Sequence, residues 1–256
     1  MFQFTIIVAG VECLILSHDK ELFRLLRKAY KPFLSDTKNH EFTFLFFRTP
    51  DNSGAVLHSC SMPHYRAELA IGDIQNANNS ILFNYLFKIV FAKFYIAKQY
   101  GLLIHAASVT RHGKAIVIAG GKGAGKSTSL QLLRSSGFIG LSDDVALLNI
   151  TDTSVCVHAS PFQERHDFPK KNIHAIVTSL IFLHKTHKNN HMTELNMVQR
   201  VNAIYYHSYA WGFGQYADAV TMKTLRILAY KAASSVRCFN VYLHTIDTDA
   251  LRFYLS

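Results

Sequence analysis

Residues 115–128 read Ala-Ile-Val-Ile-Ala-Gly-Gly-Lys-Gly-Ala-Gly-Lys-Ser-Thr, and this stretch decides the fold class. The apolar run 115–119 is typical of a strand buried on both faces. Positions 120–127 satisfy the pattern GxxxxGK[ST], which needs a strand before it and a helix after it. The flanking sequence meets that condition, since Ser127–Ser136 is helix-like and Gly137 ends it. The stretch therefore predicts an α/β fold with a phosphate-binding loop.

This loop predicts a nucleotide site. Successive backbone N–H groups can surround phosphate oxygens, and the following helix adds unpaired N–H donors. Glycines are needed because side chains would block that close approach. Lys126 would reach the β- and γ-phosphates of ATP, and the Ser127 hydroxyl would ligate Mg²⁺. The residues predicted to bind the nucleotide are Gly120, Gly121, Lys122, Gly123, Ala124, Gly125, Lys126, Ser127 and Thr128.

Two more positions are candidates for chemistry. Asp143 and Asp144 follow Lys126 by 17 and 18 residues, at the end or start of an apolar strand in the strand-like segment Leu141–Ile150. An Asp pair is often a solvated turn, but beside a phosphate-binding loop it can hold magnesium or accept a proton. His105 lies 21 residues before Lys126 in an apolar segment, where a histidine is usually a hydrogen-bonded core residue. From the residues alone, both interpretations remain open for each position.

Together, these segments resemble the catalytic core of the HPr serine kinase family. The matching residues are Ile104-His105-Ala106-Ala107-Ser108, the loop Gly120–Ser127, and Leu141-Ser142-Asp143-Asp144-Val145. The resemblance implies an α/β P-loop kinase domain similar to HPr kinase and phosphoenolpyruvate carboxykinase, using ATP and Mg²⁺. It implies that Asp143, His105 and Lys126 are catalytic, with Asp143 the base and His105 its supporting partner. Ser127 and Asp144 are the implied metal ligands.

The resemblance covers roughly Leu102–Leu148, and the rest of the chain departs from it. Bacterial HPr kinases carry a second signature with Glu and Arg in a glycine-rich strand, and only Glu164 and Arg165 offer those residue types nearby. A surface loop is an equally good interpretation of that segment. The N-terminal region does not resemble the regulatory domain of those enzymes, so HPr is not the expected substrate. The layout looks more like the HPr-kinase-related proteins of ribosomal-peptide modification, including lasso-peptide kinases.

The predicted activity is ATP- and magnesium-dependent phosphotransfer to a hydroxyl, with serine of a peptide or protein as the expected acceptor. Two alternatives stay open. One is a small-molecule kinase with the same core, and the other is a nucleotide-binding partner or chaperone of a peptide-modifying enzyme. The predicted organisation is an α+β region over residues 1–98, where an acceptor could dock, and an HPr kinase-like P-loop catalytic domain over 99–256.

Periodicity and turn residues predict the remaining elements. Expected strands are Phe2–Leu16, Glu41–Phe47, Ala55–Ser59, Leu102–Val109, Ala175–Leu183 and Arg237–His244. Expected helices are Asp19–Tyr30, Ser80–Tyr100, Ala219–Ser234 and a segment after Thr193, and His184–His191 is expected to be a loop.

Composition narrows the class of protein. The 256 residues are 49% hydrophobic and 17% charged, which excludes a disordered polyelectrolyte. The four cysteines lie far apart, so reduced thiols in a cytoplasmic protein are expected rather than a zinc module or disulfides. Met1–Leu16 has no Lys or Arg, so a secretory signal is not expected. Polar residues interrupt the most apolar stretch, Ile81–Ala97, which predicts a buried helix rather than a membrane span.

The formal charge of +10 is spread along the chain, with its densest group at Lys20–Lys31. That group is typical of an amphipathic helix with a basic outer face, which either keeps the protein soluble or attracts an acidic peptide acceptor. No nucleic-acid-binding module is recognisable, so nucleic acid is not an expected partner. A homo-oligomer is compatible with the sequence.

Overall fold

The computed structural model describes residues 1–47, 57–58, 66–70, 78–162, 171–208, 219–250 and 253–254. The chain divides into two compact units, Met1–Phe94 and Tyr95–Ser256. Both contain strands and helices, which confirms the predicted mixed α/β class. Within the described ranges, no helix is both long and apolar enough to cross a membrane.

The first unit is built on one sheet whose strands lie in the order β3-β1-β2-β4-β6-β5. Their bounds are β1 (Phe2–Val8), β2 (Val11–Ser17), β3 (Leu34–Ser35), β4 (Phe42–Phe47), β5 (Leu57–His58) and β6 (Arg66–Ala70). The helices are α1 (Lys20–Ala29) and α2 (Asn78–Ala97), whose last residues belong to the second unit. Most of the predicted strand Ala55–Ser59 lies outside the described residues.

Helix α1 shows why this segment is helical and basic on its outside. The Asp19 carboxylate accepts hydrogen bonds from the backbone N–H groups of Glu21 and Leu22, which caps the first turn. Leu22 and Leu26, four residues apart, are buried on one face. Arg24, Arg27 and Lys28 are exposed on the other. The amphipathic helix predicted over Asp19–Tyr30 is confirmed.

Among its described residues, the second unit holds the end of α2, eight strands, three further α-helices and a short 3-10 helix at Thr248–Ala250. The strands are β7 (Gly101–Arg111), β8 (Lys114–Gly120), β9 (Ile139–Ser142), β10 (Val145–Ile150), β11 (Val155–His158), β12 (His174–Lys185), β13 (His191–Glu194) and β14 (Arg237–Leu243). The helices are α3 (Lys126–Ser135), α4 (Met197–His207) and α5 (Ala219–Ser235). The predicted loop His184–His191 is wrong at both ends, because β12 runs through Lys185 and β13 begins at His191.

Five strands of this unit close into a ring. Pairing follows β11-β10-β7-β8-β12, and β11 also pairs with β12. Strand β9 adds to β7, while β14 and β13 extend the sheet from β12. The sequence predicted the strands around the loop but not this closure.

Strands β8, β12 and β14 are parallel neighbours, and this arrangement positions the loop. Their carboxyl ends, at Gly120, Lys185 and Leu243, therefore lie along the same edge of the sheet. Helix α3 covers one face, where its Leu130 and Leu133 join a buried apolar cluster with residues of these strands. The loop between β8 and α3 consequently opens at the carboxyl edge, the usual ligand-binding edge of parallel sheets.

Candidate active site

The loop runs from the end of β8 at Gly120 to the start of α3 at Lys126. Gly125 is the N-cap of α3, with a left-handed φ of 104° and no side-chain hydrogen bond to cap the helix. This φ strains any residue other than glycine, and a Cβ at Gly125 would also lie 2.1 Å from Cδ1 of Ile246, which would have to move. The first N–H groups of α3 are thus left without a capping side chain, as anion binding requires.

Lys126 folds back over the loop. Its Nζ donates hydrogen bonds to the backbone oxygens of Gly120 at 2.7 Å and Gly121 at 3.3 Å. Both acceptors are neutral carbonyls, which an anionic phosphate can replace with a stronger charge-assisted bond. The ammonium group is therefore held within reach of any phosphate that the loop binds.

A cleft of about 420 Å³ opens over the loop. Of the residues predicted to bind the nucleotide, it is lined by Gly121, Gly123, Gly125, Lys126, Ser127 and Thr128. Gly120, Lys122 and Ala124 do not line it. Lys185 and Ile246 complete the wall. The sequence analysis missed both, although Lys185 lies at the carboxyl end of a strand parallel to β8.

Asp143 and Asp144 lie in a bend between β9 and β10. The predicted position of the pair, at the end or start of an apolar strand, is confirmed, because β9 ends at Ser142 and β10 begins at Val145. The strand-like segment Leu141–Ile150 is interrupted at these two residues. Both flanking strands pair with β7, and the register continues across the bend, since Ser142 lies opposite Ser108 and Val145 opposite His105. The register shifts within β9 instead, between the pairings of Ser108 and Val109.

Hydrogen bonds of two buried serines connect this bend to β7. The Oγ atoms of Ser108 and Ser142 are 2.7 Å apart, and Ser142 Oγ also donates to the backbone oxygen of Ala106 at 3.2 Å. The Ala106 N–H in turn donates to the backbone oxygen of Asp144 at 2.9 Å. These bonds explain why the β7 segment and the segment before the bend each contain a serine, because each serine hydroxyl is hydrogen-bonded to the other segment.

His105 contacts the second aspartate of the pair. Its Nδ1 lies 2.9 Å from Oδ1 of Asp144, whose side chain is 6% exposed while that of His105 is 43% exposed. A carboxylate at Nδ1 favours the tautomer that carries its proton there and leaves Nε2 for other contacts. The resemblance implied His105 as the partner of Asp143, whereas the structure pairs it with Asp144. Asp143 is also buried, at 8% exposure.

His207, the last residue of α4, was not found by sequence analysis because it belongs to no motif. Its ring stacks on Phe182 of β12, with centroids 5.3 Å apart, and the next residue, Ser208, forms a bridge to Ile104 of β7. Burial first, and then the charges of His105, Lys126 and His184, together lower the pKa of His207 from 6.5 to about 4. A neutral imidazole therefore lies in the electrostatic neighbourhood of both His105 and Lys126.

The fit of the site to Mg²⁺ depends on oxygen donors. Within the described residues, no group of three or more His, Cys, Asp or Glu could hold a metal ion. Magnesium usually takes only one or two protein carboxylates and completes its shell with water and phosphate oxygens. The Ser127 hydroxyl in the cleft and the buried Asp144 carboxylate are donors of the right chemical type. Glu164 and Arg165 lie outside the described residues.

Comparison with known proteins identifies a family. Residues 71–235, more than half of the chain, match the family model described as SynChlorMet cassette protein ScmC. The chain belongs to the ScmC family. The span that matches the ScmC model contains His105, the loop and the Asp pair. No curated protein matches the chain.

Among solved structures, one similar to this chain is the Hpr(Ser) kinase/phosphatase from Coxiella burnetii. The two are 12% identical, the match covers 60% of this chain and 91% of that chain, and the TM-score is 0.35. A likeness at that level assigns no activity to the ScmC chain.

Proposed function

We propose that this ScmC-family chain is an ATP- and magnesium-dependent kinase that phosphorylates a hydroxyl, with serine of a peptide or protein as the first candidate. The proposal rests on one observation: two features lie on neighbouring strands of the same ring. The phosphate-binding loop follows β8, and the His105–Asp144 pair lies at β7, which is hydrogen-bonded to β8. A protein that only binds nucleotide needs the loop but has no use for the pair.

Each residue has a role that its position supports. The loop amides and Lys126 hold the phosphates and stabilise negative charge that develops during transfer. Ser127 and Asp144 are the residues that would hold magnesium, which when bound neutralises phosphate charge. Asp143 accepts the proton of the attacking hydroxyl late in the reaction, as base. Phosphoryl transfer depends mostly on positioning, so few protein groups need to react.

His105 acts through Asp144 and is therefore a positioning residue. Its Nδ1 holds one oxygen of the Asp144 carboxylate in place. The direction in which the other oxygen points is thereby fixed as well. A displaced carboxylate would move the metal and the adjacent Asp143 together. This role predicts a slower enzyme without His105 rather than an inactive one.

The test is transfer of labelled phosphate. Purified protein is incubated with magnesium, γ-labelled ATP and serine-containing peptides encoded next to its own gene. We expect label on a peptide serine with the native chain and none with Lys126→Ala. Lys231→Ala, which removes an exposed lysine paired with Asp152, should transfer normally. Label on a small hydroxyl compound would identify the small-molecule kinase, and ATP binding without transfer to any acceptor would favour the nucleotide-binding partner.

A further inference from the structure

A second cleft, of about 500 Å³, lies at the opposite end of the parallel strands from the loop. Lys114 begins β8 and Arg237 begins β14, whereas the nucleotide cleft is at the carboxyl ends of these strands. A seven-residue strand is roughly 20 Å long, so the two clefts are separate sites. Among the residues that line the second cleft are Arg111, Lys114, Ile116, Phe138, Arg237 and Phe239.

Positive charge is concentrated in this cleft. Arg111 and Lys114 are directly opposite each other in the β7–β8 register, a placement of like charges that destabilises a strand pair. In the part of the chain that the structure describes, neither has a carboxylate partner at salt-bridge distance. Arg237 lies 3.3 Å from Glu194, but Glu194 also binds Arg200 at 3.0 Å. The cleft therefore keeps an excess of positive charge.

Aromatic rings hold two of these cations in place. The guanidinium of Arg111 lies 4.5 Å from the ring centroid of Phe138, and that of Arg237 lies 4.8 Å from the ring centroid of Phe239. Both rings are buried, at 8% and 4% exposure. A guanidinium stacked on a fixed ring is oriented in advance, so it loses less freedom when it binds an anion. Planar, oriented guanidinium groups suit phosphate oxygens, which accept two parallel hydrogen bonds.

We propose that this cleft binds a small molecule that carries phosphate groups, at a site distinct from the ATP cleft. Its volume is that of small-molecule sites. Three cations on three different strands surround it, and the buried rings provide an apolar floor for the rest of the ligand. Phosphate is favoured because each group carries up to two negative charges near neutral pH and can engage more than one of these cations.

One isoleucine lines each cleft, which allows the two sites to be observed separately. Ile116 lines the basic cleft and Ile246 lines the nucleotide cleft. Pyrophosphate is titrated into the protein labelled at isoleucine δ1 methyl groups, at constant ionic strength, and the methyl resonances are followed by NMR. We expect both methyl signals to shift and to saturate independently. An Ile116 signal that does not move would overturn the proposal.

Variants separate specific binding from general screening. The double variant R111Q/R237Q should raise the dissociation constant reported by Ile116 about tenfold or more, because it removes two charge-assisted partners. The Ile246 response should stay unchanged, which also confirms folding. The matched control is R226Q, since Arg226 stacks on Tyr205 at 5.7 Å outside the cleft. An Ile116 response that survives in R111Q/R237Q, or that R226Q weakens equally, would contradict a site built from Arg111 and Arg237.

Discussion

Two glycines of the loop share a left-handed backbone but differ in what surrounds them. Gly123 has φ 76° with nothing within 4 Å of an added Cβ, whereas at Gly125 the Cβ would meet Ile246. G123A should cost only the backbone strain, about 1–2 kcal/mol in free energy of unfolding. G125A should cost more, because the clash adds to the strain. Urea denaturation of both variants measures the difference.

A second substitution tests the cause of that difference. Ile246→Ala should destabilise the native chain, but it should cost less in the G125A background because it removes the clashing methyl group. Equal costs in both backgrounds would show that Ile246 does not restrict Gly125.

The contact between His105 and Asp144 predicts coupled effects on catalysis. We expect His105→Ala to lower kcat about 10- to 100-fold, less than loss of a general base, with little change in ATP affinity. Asp144→Asn should raise the magnesium concentration needed for half-maximal rate. The double variant should be little worse than Asp144→Asn, since His105 acts through that carboxylate. Steady-state rates over a magnesium series check this, and additive losses would indicate that His105 acts independently.

The loop and the Asp pair were predictable because their chemistry fixes residue type and spacing. Which aspartate His105 contacts was not, since the two are adjacent and only the bend decides where each carboxylate points. Lys185, Ile246 and His207 were missed for a related reason. Lys185 ends β12, His207 ends α4 and Ile246 follows β14. All three are distant from the loop in the sequence and belong to no motif.

At the scale of elements, the contact between β11 and β12 closes the ring, and a stacked histidine pair lies within it. His158 and His174 are directly opposite, with ring centroids 5.1 Å apart. Burial, followed by the charge of His174, lowers the pKa of His158 to about 4 from an ordinary value of 6.5. Between these values the unfolded chain binds more protons than the native chain, so the free energy of unfolding must fall as pH falls.

This shift predicts an acid-sensitive fold. From pH 7 to pH 5, His158 should account for a loss of about 1–2 kcal/mol in the free energy of unfolding. His158→Asn should reduce that dependence and leave the similar contribution of His207, whose pKa is also lowered from 6.5 to about 4. His187→Asn, at an exposed histidine, is the control. Denaturation series at several pH values test this, and an unchanged slope in His158→Asn would disprove the assignment.

Individual elements followed from the sequence more readily than their pairing did. The helices α1, α2, α3 and α5 and the strands β7, β8, β12 and β14 match their predicted ranges within a few residues. Local periodicity and capping fix such elements. Ring closure depends on β11, which has only four residues and pairs with β10 before it and with β12 after it. No local pattern shows that so short a strand is hydrogen-bonded along both of its edges.

At the scale of the whole molecule, the basic face of α1 is the predicted docking surface for an acidic peptide. Reversing Arg24, Arg27 and Lys28 to Glu should raise the KM for the peptide several-fold at low salt, with ATP affinity unchanged. The KM of the native chain should rise with ionic strength as the attraction is screened. Reversing Lys223, Arg226 and Lys231 on α5 changes the net charge equally and should have little effect. Equal effects of the two triple variants would exclude α1 as the docking surface.

In the proposed reaction, bound ATP is turned over by a proton-accepting carboxylate, Asp143, beside the loop. The decisive experiment measures ATP affinity by calorimetry, and phosphate transfer on the same preparations, for the native chain and for Asp143→Asn. We predict that ATP affinity in the variant stays within about threefold while turnover falls at least ~100-fold, because the amide keeps the shape but cannot take the proton. Native turnover in Asp143→Asn would show that Asp143 is not the base, and a native chain that does not bind ATP would contradict the nucleotide site itself.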